Sequence, residues 1–243
     1  TLVMQLTPPI IENEEPIIYA GLGLRLKHNI KGTEIRYTLN GEDPDSIHSP
    51  LFKDSVLLTS PVTVKTKAFK PGWISSNVKE KYFFKSTYMP DTIILQTKPE
   101  DRFKSDGSKT LYDNQKSDLN TLSAKWLGYR ENKFAALVIL DSQTVVKNIT
   151  LSILRDLGAY VFPPERVEIW GGHEQNNLRL IKTLIPPAAQ KDMPTKNIPI
   201  ECDFNPVSVK YIKIVAQPLP KIPSWHGGKG EKAHLFVDEI FFN

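Results

Sequence analysis

A single cysteine, Cys202, excludes a disulfide framework within the chain, and an isolated thiol of this kind reads as a small buried hydrophobe. No apolar run approaches the ~20 residues that a membrane-spanning helix requires. No stretch keeps a helical period, and no internal repeat is evident. The histidines His28, His48, His173, His226 and His234 are dispersed, without the His-Glu-x-x-His spacing of a zinc site. The nucleophile elbow Gly-x-Ser-x-Gly is missing. Gly227-Gly228-Lys229-Gly230 lacks the hydroxyl residue that follows the lysine of a phosphate-binding loop, and reads as a flexible loop. An excess of one charge is also lacking. The 31 basic and 27 acidic residues leave a net charge of +4 and are scattered, whereas nucleic-acid binders gather lysine and arginine on one face. Nucleic acid is therefore not an expected partner. The chain opens on Thr1 with no charged-then-apolar leader, which suggests a processed or truncated piece of a longer protein.

Proline, in contrast, is abundant at 19 of 243 residues, and aromatics are frequent. Prolines interrupt helices and punctuate strands, so an all-β fold is expected. Ile35, Tyr37 and Leu39 alternate with polar residues and lead into the tight-turn pair Asn40-Gly41. Val62, Val64, Thr66 and Ala68 form a second alternating run, Pro71-Gly72 a turn, and Val78 to Phe84 a closing strand. Tyr88-Met89-Pro90-Asp91 marks a boundary, because a residue before proline is held extended. The expected domains are thus 1–90 and 91–243.

In the second domain strands are expected at 93–95, 134–140, 145–154, 166–170, 209–215 and 235–242. Short strands between turn signals indicate a sandwich or barrel. The neighbouring acids Asp238 and Glu239 invite a catalytic reading, since paired carboxylates cleave glycosidic bonds. In a regular strand, however, adjacent side chains point to opposite faces. The preferred reading is structural, with Phe236, Ile240 and Phe242 packing inward.

Aromatic residues beside loops carry the remaining signal: Trp126-Leu127-Gly128-Tyr129, Tyr160-Val161-Phe162-Pro163 and Ser224-Trp225-His226-Gly227. Sugar C–H faces stack on such rings, while hydroxyls pair with forked polar groups. Trp126 and Phe162 read as core. Trp225, between Pro223 and the glycines, reads as an exposed ligand platform. The candidate sugar contacts are Trp225, His226, Tyr160, Arg155 and Tyr129.

Two family resemblances follow from these residues. Ile35-Arg36-Tyr37-Thr38-Leu39-Asn40-Gly41-Glu42-Asp43-Pro44, with Val64-Lys65-Thr66-Lys67-Ala68-Phe69, resembles the chitobiase/β-hexosaminidase C-terminal domain. This implies a small immunoglobulin- or fibronectin-type-III-like sandwich. Leu111-Tyr112-Asp113-Asn114, Trp126-Leu127-Gly128-Tyr129, Phe162-Pro163-Pro164-Glu165-Arg166-Val167, Tyr211-Ile212-Lys213-Ile214 and Phe236-Val237-Asp238-Glu239-Ile240 resemble a discoidin (coagulation factor type C, galactose-binding-like) module, a jelly-roll β-sandwich. The ending through Trp225-His226 is similar to the tails of exported Bacteroidetes-type glycoside hydrolases of family twenty.

The resemblance implies a non-catalytic accessory region of a β-N-acetylhexosaminidase whose barrel lies upstream, since that barrel alone needs ~250 residues. It implies export to the periplasm, outer membrane or exterior, and a glycan ligand carrying N-acetylglucosamine or galactose. It also implies a structural calcium ion held by Asp113, Asp118 and Glu239, all hard oxygen donors. The usual Asp-Gly of that calcium loop is Asp113-Asn114 here. The alternative expectation is a pair of purely structural modules that pack on and stabilise the upstream catalytic domain.

Overall fold

The computed structural model describes residues 3–243. The chain divides into two compact units, Thr1–Thr87 and Tyr88–Asn243, and both are all-β. Among the described residues no helix is long and apolar enough to cross a membrane.

The first unit contains β1 (Ile10–Ile11), β2 (Ile17–Ile18), β3 (Leu22–Leu24), β4 (Leu26–Lys27), β5 (Glu34–Thr38), β6 (Val56–Leu58), β7 (Val62–Phe69) and β8 (Lys79–Lys85). A four-stranded sheet in the order β2-β8-β7-β5 faces the short pairs β3-β6 and β1-β4 across a core that includes Ile18, Leu24, Leu26, Ile35, Leu58, Val64 and Phe83. The alternation along β7 buries Val64, Thr66 and Ala68, as a half-buried strand requires. Gly72, at a φ of 78°, makes the turn from β7 to β8 that Pro71-Gly72 indicates.

The second unit contains β9 (Thr92–Leu95), β10 (Leu127–Tyr129), β11 (Phe134–Arg155), β12 (Arg166–Gly172), β13 (Arg179–Leu184), β14 (Lys196–Gln217) and β15 (Leu235–Phe242). The two runs expected at 134–140 and 145–154 are one 22-residue strand, β11, with an irregularity between Ile139 and Thr144. Strand β14 is equally long and begins well before the expected Val209. These two strands pass through both layers of a sandwich. The first half of β11 lies between β9 and the end of β14, and β12 and β13 extend that layer. The second half of β11 lies between the start of β14 and β15, with β10 beyond. Between the layers sits one core, with Phe134, Ala136, Val138, Ile149, Leu151, Ile153, Val167, Ile169, Ile212 and Ile214 in it.

Strand β15 corrects the inward set expected for it. Opposite the step from Ser152 to Ile153, the partner jumps from Glu239 to Val237, so Asp238 is the extra residue of a β-bulge. A bulge resets the two-residue alternation. Before it, Leu235 and Val237 enter the main core; after it, Ile240 and Phe242 do. Phe236 turns to the other side and packs with Trp126, Leu154 and Val161. The whole of β15 is buried, which is why it reads as an unbroken apolar run interrupted by two acids.

Candidate functional site

The start of β15 marks one end of the second sandwich. Its far end, Phe242, accepts a hydrogen bond from the Tyr88 N–H at 3.0 Å, about 24 Å away at the rise of a strand. At the starting end, the loop after β11 and the loop before β15 are joined. The His234 N–H donates to the Tyr160 carbonyl at 2.8 Å, and the Phe162 N–H donates to the His234 carbonyl at 3.0 Å. Beneath them lies a small core of Leu157, Phe162, Ile222 and Ala233.

The stretch from Ile222 to Glu231 is closed on itself. The Ile222 N–H donates to the Glu231 carbonyl at 2.8 Å, and the Gly230 N–H donates to the Ile222 carbonyl at 2.9 Å. The segment read as a flexible glycine loop is therefore held at both ends. Gly230 has a φ of 83°, and Gly228 lies so close to the Tyr160 ring that a β-carbon there would sit 2.0 Å from a ring carbon. Those two positions require glycine for different reasons, conformation and space.

This loop presents Trp225, which is 36% exposed. Behind the indole lies an aromatic stack. Phe162 is 6.3 Å away between ring centroids and His226 5.8 Å, and His226 meets Tyr160 edge-on at 5.0 Å. His226 uses both ring nitrogens internally. Its Nδ1 accepts from the Gly228 N–H at 3.0 Å, so the hydrogen sits on Nε2, which donates to the Leu157 carbonyl at 2.8 Å. His226 thus braces the two loops and has no ring hydrogen bond left for a sugar, which corrects its expected role. Tyr160 carries a φ of 64°, a left-handed conformation uncommon for a non-glycine residue, closing the short 3₁₀ turn Leu157–Ala159.

Arg155 ends β11 at this same end. Its Nη2 and Nε donate to the Pro194 carbonyl at 3.0 and 3.2 Å, and Nη1 approaches Met193 Sδ at 3.2 Å. The guanidinium pins the loop before β14 across the end of the sandwich. Tyr129 is the clearest correction. It is fully buried, pairs with Leu235 in the sheet, and meets Phe134 edge-on at 5.3 Å. Its hydroxyl donates to the Thr97 carbonyl at 3.2 Å, and burial pushes its pKa up to about 12. No face of that ring reaches a ligand. Tyr160, His226 and Trp225 are brought together, Arg155 ties down an adjoining loop, and Tyr129 belongs to the core.

The acids proposed as calcium ligands are not brought together as a set. Asp113 and Asp118 are exposed and accept hydrogen bonds within their own loop, from the Gln115 N–H at 2.8 Å and the Asn120 N–H at 2.9 Å. Glu239 is buried. Its Oε1 accepts from the Asn114 N–H at 3.0 Å, and Oε2 has no hydrogen-bond partner among the described residues. Burial pushes this carboxyl up to about 9, the Asn114 hydrogen bond opposes it, and nearby Asp113 and Asp238 push the same way as burial.

A lysine, not spotted in the sequence, supplies positive charge at this point. Lys116 Nζ lies 2.7 Å from both oxygens of the fully buried Asp238, and also donates to Ser152 Oγ. The Ser117 N–H adds a further bond to Asp238 at 2.8 Å. Burial draws the Lys116 pKa down, against the pull of Asp238. The orphaned Glu239 oxygen is the one feature here that a metal ion would satisfy. Calcium needs six to eight oxygens. Among the described residues no three His, Cys, Asp or Glu side chains gather as a metal site. The donor set does not fit calcium, and an ammonium group already stands beside the acids.

The bulge explains why both acids meet this loop. Asp238 reaches Ser117 and Lys116 while Glu239 reaches Asn114, so the expectation of opposite faces fails here. Both carboxyls are 0% exposed, which leaves a substrate no approach to them.

Comparison with known proteins gives the following. A family model described as Fn3 associated matches residues 24–83, inside the first unit. No curated protein sequence matches the chain. Among solved structures, the chain is similar to the CBM32 of AlyQ in complex with 4,5-unsaturated mannuronic acid, at 11% identity and a TM-score of 0.41, covering 64% of this chain and 96% of that one. It is similar to CpGH89CBM32-5 from Clostridium perfringens in complex with GalNAc-β-1,3-galactose, at 15% identity and a TM-score of 0.42, covering 62% and 92%. It is also similar to chitosan-binding module 1 of a chitosanase/glucanase from Paenibacillus sp. IK-5, at 10% identity and a TM-score of 0.40, covering 64% and 96%.

Proposed function

We propose that the second unit is a non-catalytic carbohydrate-binding module that grips a sugar at its loop end, with Trp225 as the stacking platform. The observation that carries this is an indole held out toward solvent on a brace of Phe162, His226 and Tyr160. An aromatic ring fixed before binding loses little entropy when a ligand arrives. Sugars offer it an apolar C–H face, and the ring contributes area without a rotamer search. In this reading His226 and Tyr160 are positioning residues. The parent is an exported glycoside hydrolase of β-N-acetylhexosaminidase type, and the module keeps it near glycans bearing N-acetylglucosamine or galactose.

The test is binding of the whole chain to chitin, N-acetylglucosamine and galactose ligands by glycan array and affinity gel. Trp225→Ala is expected to abolish retention while leaving the melting temperature within a degree or two. No binding at millimolar ligand, or wild-type retention of Trp225→Ala, would sink the proposal. A second reading, modules that only pack on a catalytic domain, is favoured by apolar side chains left exposed, Ile47 at 76% and Leu57 at 69% in the first unit. Equal stability and turnover of the parent enzyme with and without this region would refute that reading.

A further inference from the structure

The outer face of the layer β9-β11-β14-β12-β13 carries a second arrangement of binding chemistry, away from the loop end. Register places Ile94, Leu137, Lys213, Trp170 and Leu180 in one row across the five strands. The neighbours of these residues along each strand, such as Val138, Ile212 and Ile169, point into the core, so this row faces outward. The loop from His173 to Leu178 rises beside the row. Together they form a groove of about 310 Å³ lined by Gln96, Leu137, Trp170, Gln175, Asn176, Leu178 and Lys213. That is the lower end of the range for small-ligand sites.

Three features give the groove a ligand chemistry. First, the indole is oriented. Trp170 Nε1–H donates to Glu168 Oε2 at 3.3 Å, and Arg166 holds the other oxygen of Glu168 at 3.2 Å. The polar edge of the ring is therefore occupied and its carbon surface is what remains to offer. Second, the side-chain amides of Gln96, Gln175 and Asn176 make no hydrogen bond among the described residues, so donors and acceptors stand ready on the rim. Third, the Lys213 ammonium, cross-strand from both Leu137 and Trp170, has no carboxylate partner among the described residues.

We infer that this groove is a second saccharide-binding site, separate from Trp225, and that it takes an acidic, uronate-bearing oligosaccharide. A sugar ring stacks on the Trp170 indole, the three amides bond to its hydroxyls, and Lys213 receives the carboxylate. The neutral-sugar reading of the loop end does not need this site, and this site does not need the loop end.

The experiment is a titration of the whole chain with trigalacturonate, followed through the indole N–H signals of its four tryptophans in a ¹H–¹⁵N spectrum. Each signal is assigned by a Trp→Phe variant. The expected result is a shift of the Trp170 signal with that of Trp225 unmoved. Trp170→Ala should weaken affinity about tenfold, the scale of a lost aromatic contact. Lys213→Gln should weaken it about threefold at low salt and less at high salt. A parallel titration with N-acetylglucosamine reads the Trp225 site independently. A Trp170 signal unmoved at ~10 mM trigalacturonate, or unchanged affinity in both variants, overturns the inference whatever Trp225 does.

Discussion

Replacing Lys116 by methionine tests the electrostatics of the second sandwich most directly. Methionine keeps the apolar stem and removes the charge that faces Asp238 at 2.7 Å. Asp238 is 0% exposed, and among the described residues the hydrogen bond left to its carboxylate is the one from the Ser117 N–H. Removing one partner of a buried pair costs about 3–5 kcal/mol, because a buried carboxylate is left uncompensated. For a unit of this size each kcal/mol moves the melting temperature by about 2–4 °C, so a drop of roughly 6–20 °C is expected.

The assay is thermal and urea unfolding monitored by circular dichroism at pH 7. The double variant Lys116→Met/Asp238→Leu should recover most of the loss, since well-packed apolar pairs replace buried ion pairs at little cost. A loss below 1 kcal/mol at pH 7, or a double variant no more stable than Lys116→Met alone, would refute the reasoning.

With Lys116 in place, adding calcium or a chelator should leave the melting temperature unchanged; a calcium-dependent rise would show that the acids rearrange around a metal. Gly228→Ala should force the loop off Tyr160, costing more than 1 kcal/mol and weakening glycan retention as strongly as Trp225→Ala, with ligand titration and melting read on the same sample. Burial pushes the Cys202 thiol up to about 12, so the thiolate is disfavoured in the folded state. Native protein should resist a thiol reagent at pH 8 and react fully in urea. The raised pKa also makes stability fall as pH climbs above the unfolded value near 9, by about 1.4 kcal/mol per unit, and Cys202→Val should flatten that decline.

The closing strand was legible because every residue from Leu235 to Phe242 is buried, and a long apolar run with aromatic ends survives any error of register. What was not legible is the bulge at Asp238. Two-residue alternation is a local rule, whereas the extra residue is set by pairing with Ser152 and Ile153 more than eighty positions earlier. The same distance hid the Lys116–Asp238 pair, since nothing near Lys116 in sequence distinguishes it from a solvated lysine. Tyr129 was misread for the opposite reason: Gly128 beside it suggests a loop, yet Phe103 and Phe236 press so closely on that glycine that it is a tightly packed strand position. Trp225 and His226 were legible as loop residues, because proline before and glycines after them are turn chemistry that acts locally. That His226 braces instead of binding depended on Leu157, again a distant partner.

The two 22-residue strands have a mechanical meaning. Each belongs to both layers, so neither layer can peel away without drawing the other open. Amides in β11 and β14 should exchange with solvent together, at the rate of whole-unit opening, while those of the Ile222–Glu231 loop exchange through smaller motions. The second unit is therefore expected to behave as one stiff block, with the braced loop that carries Trp225 held at its end.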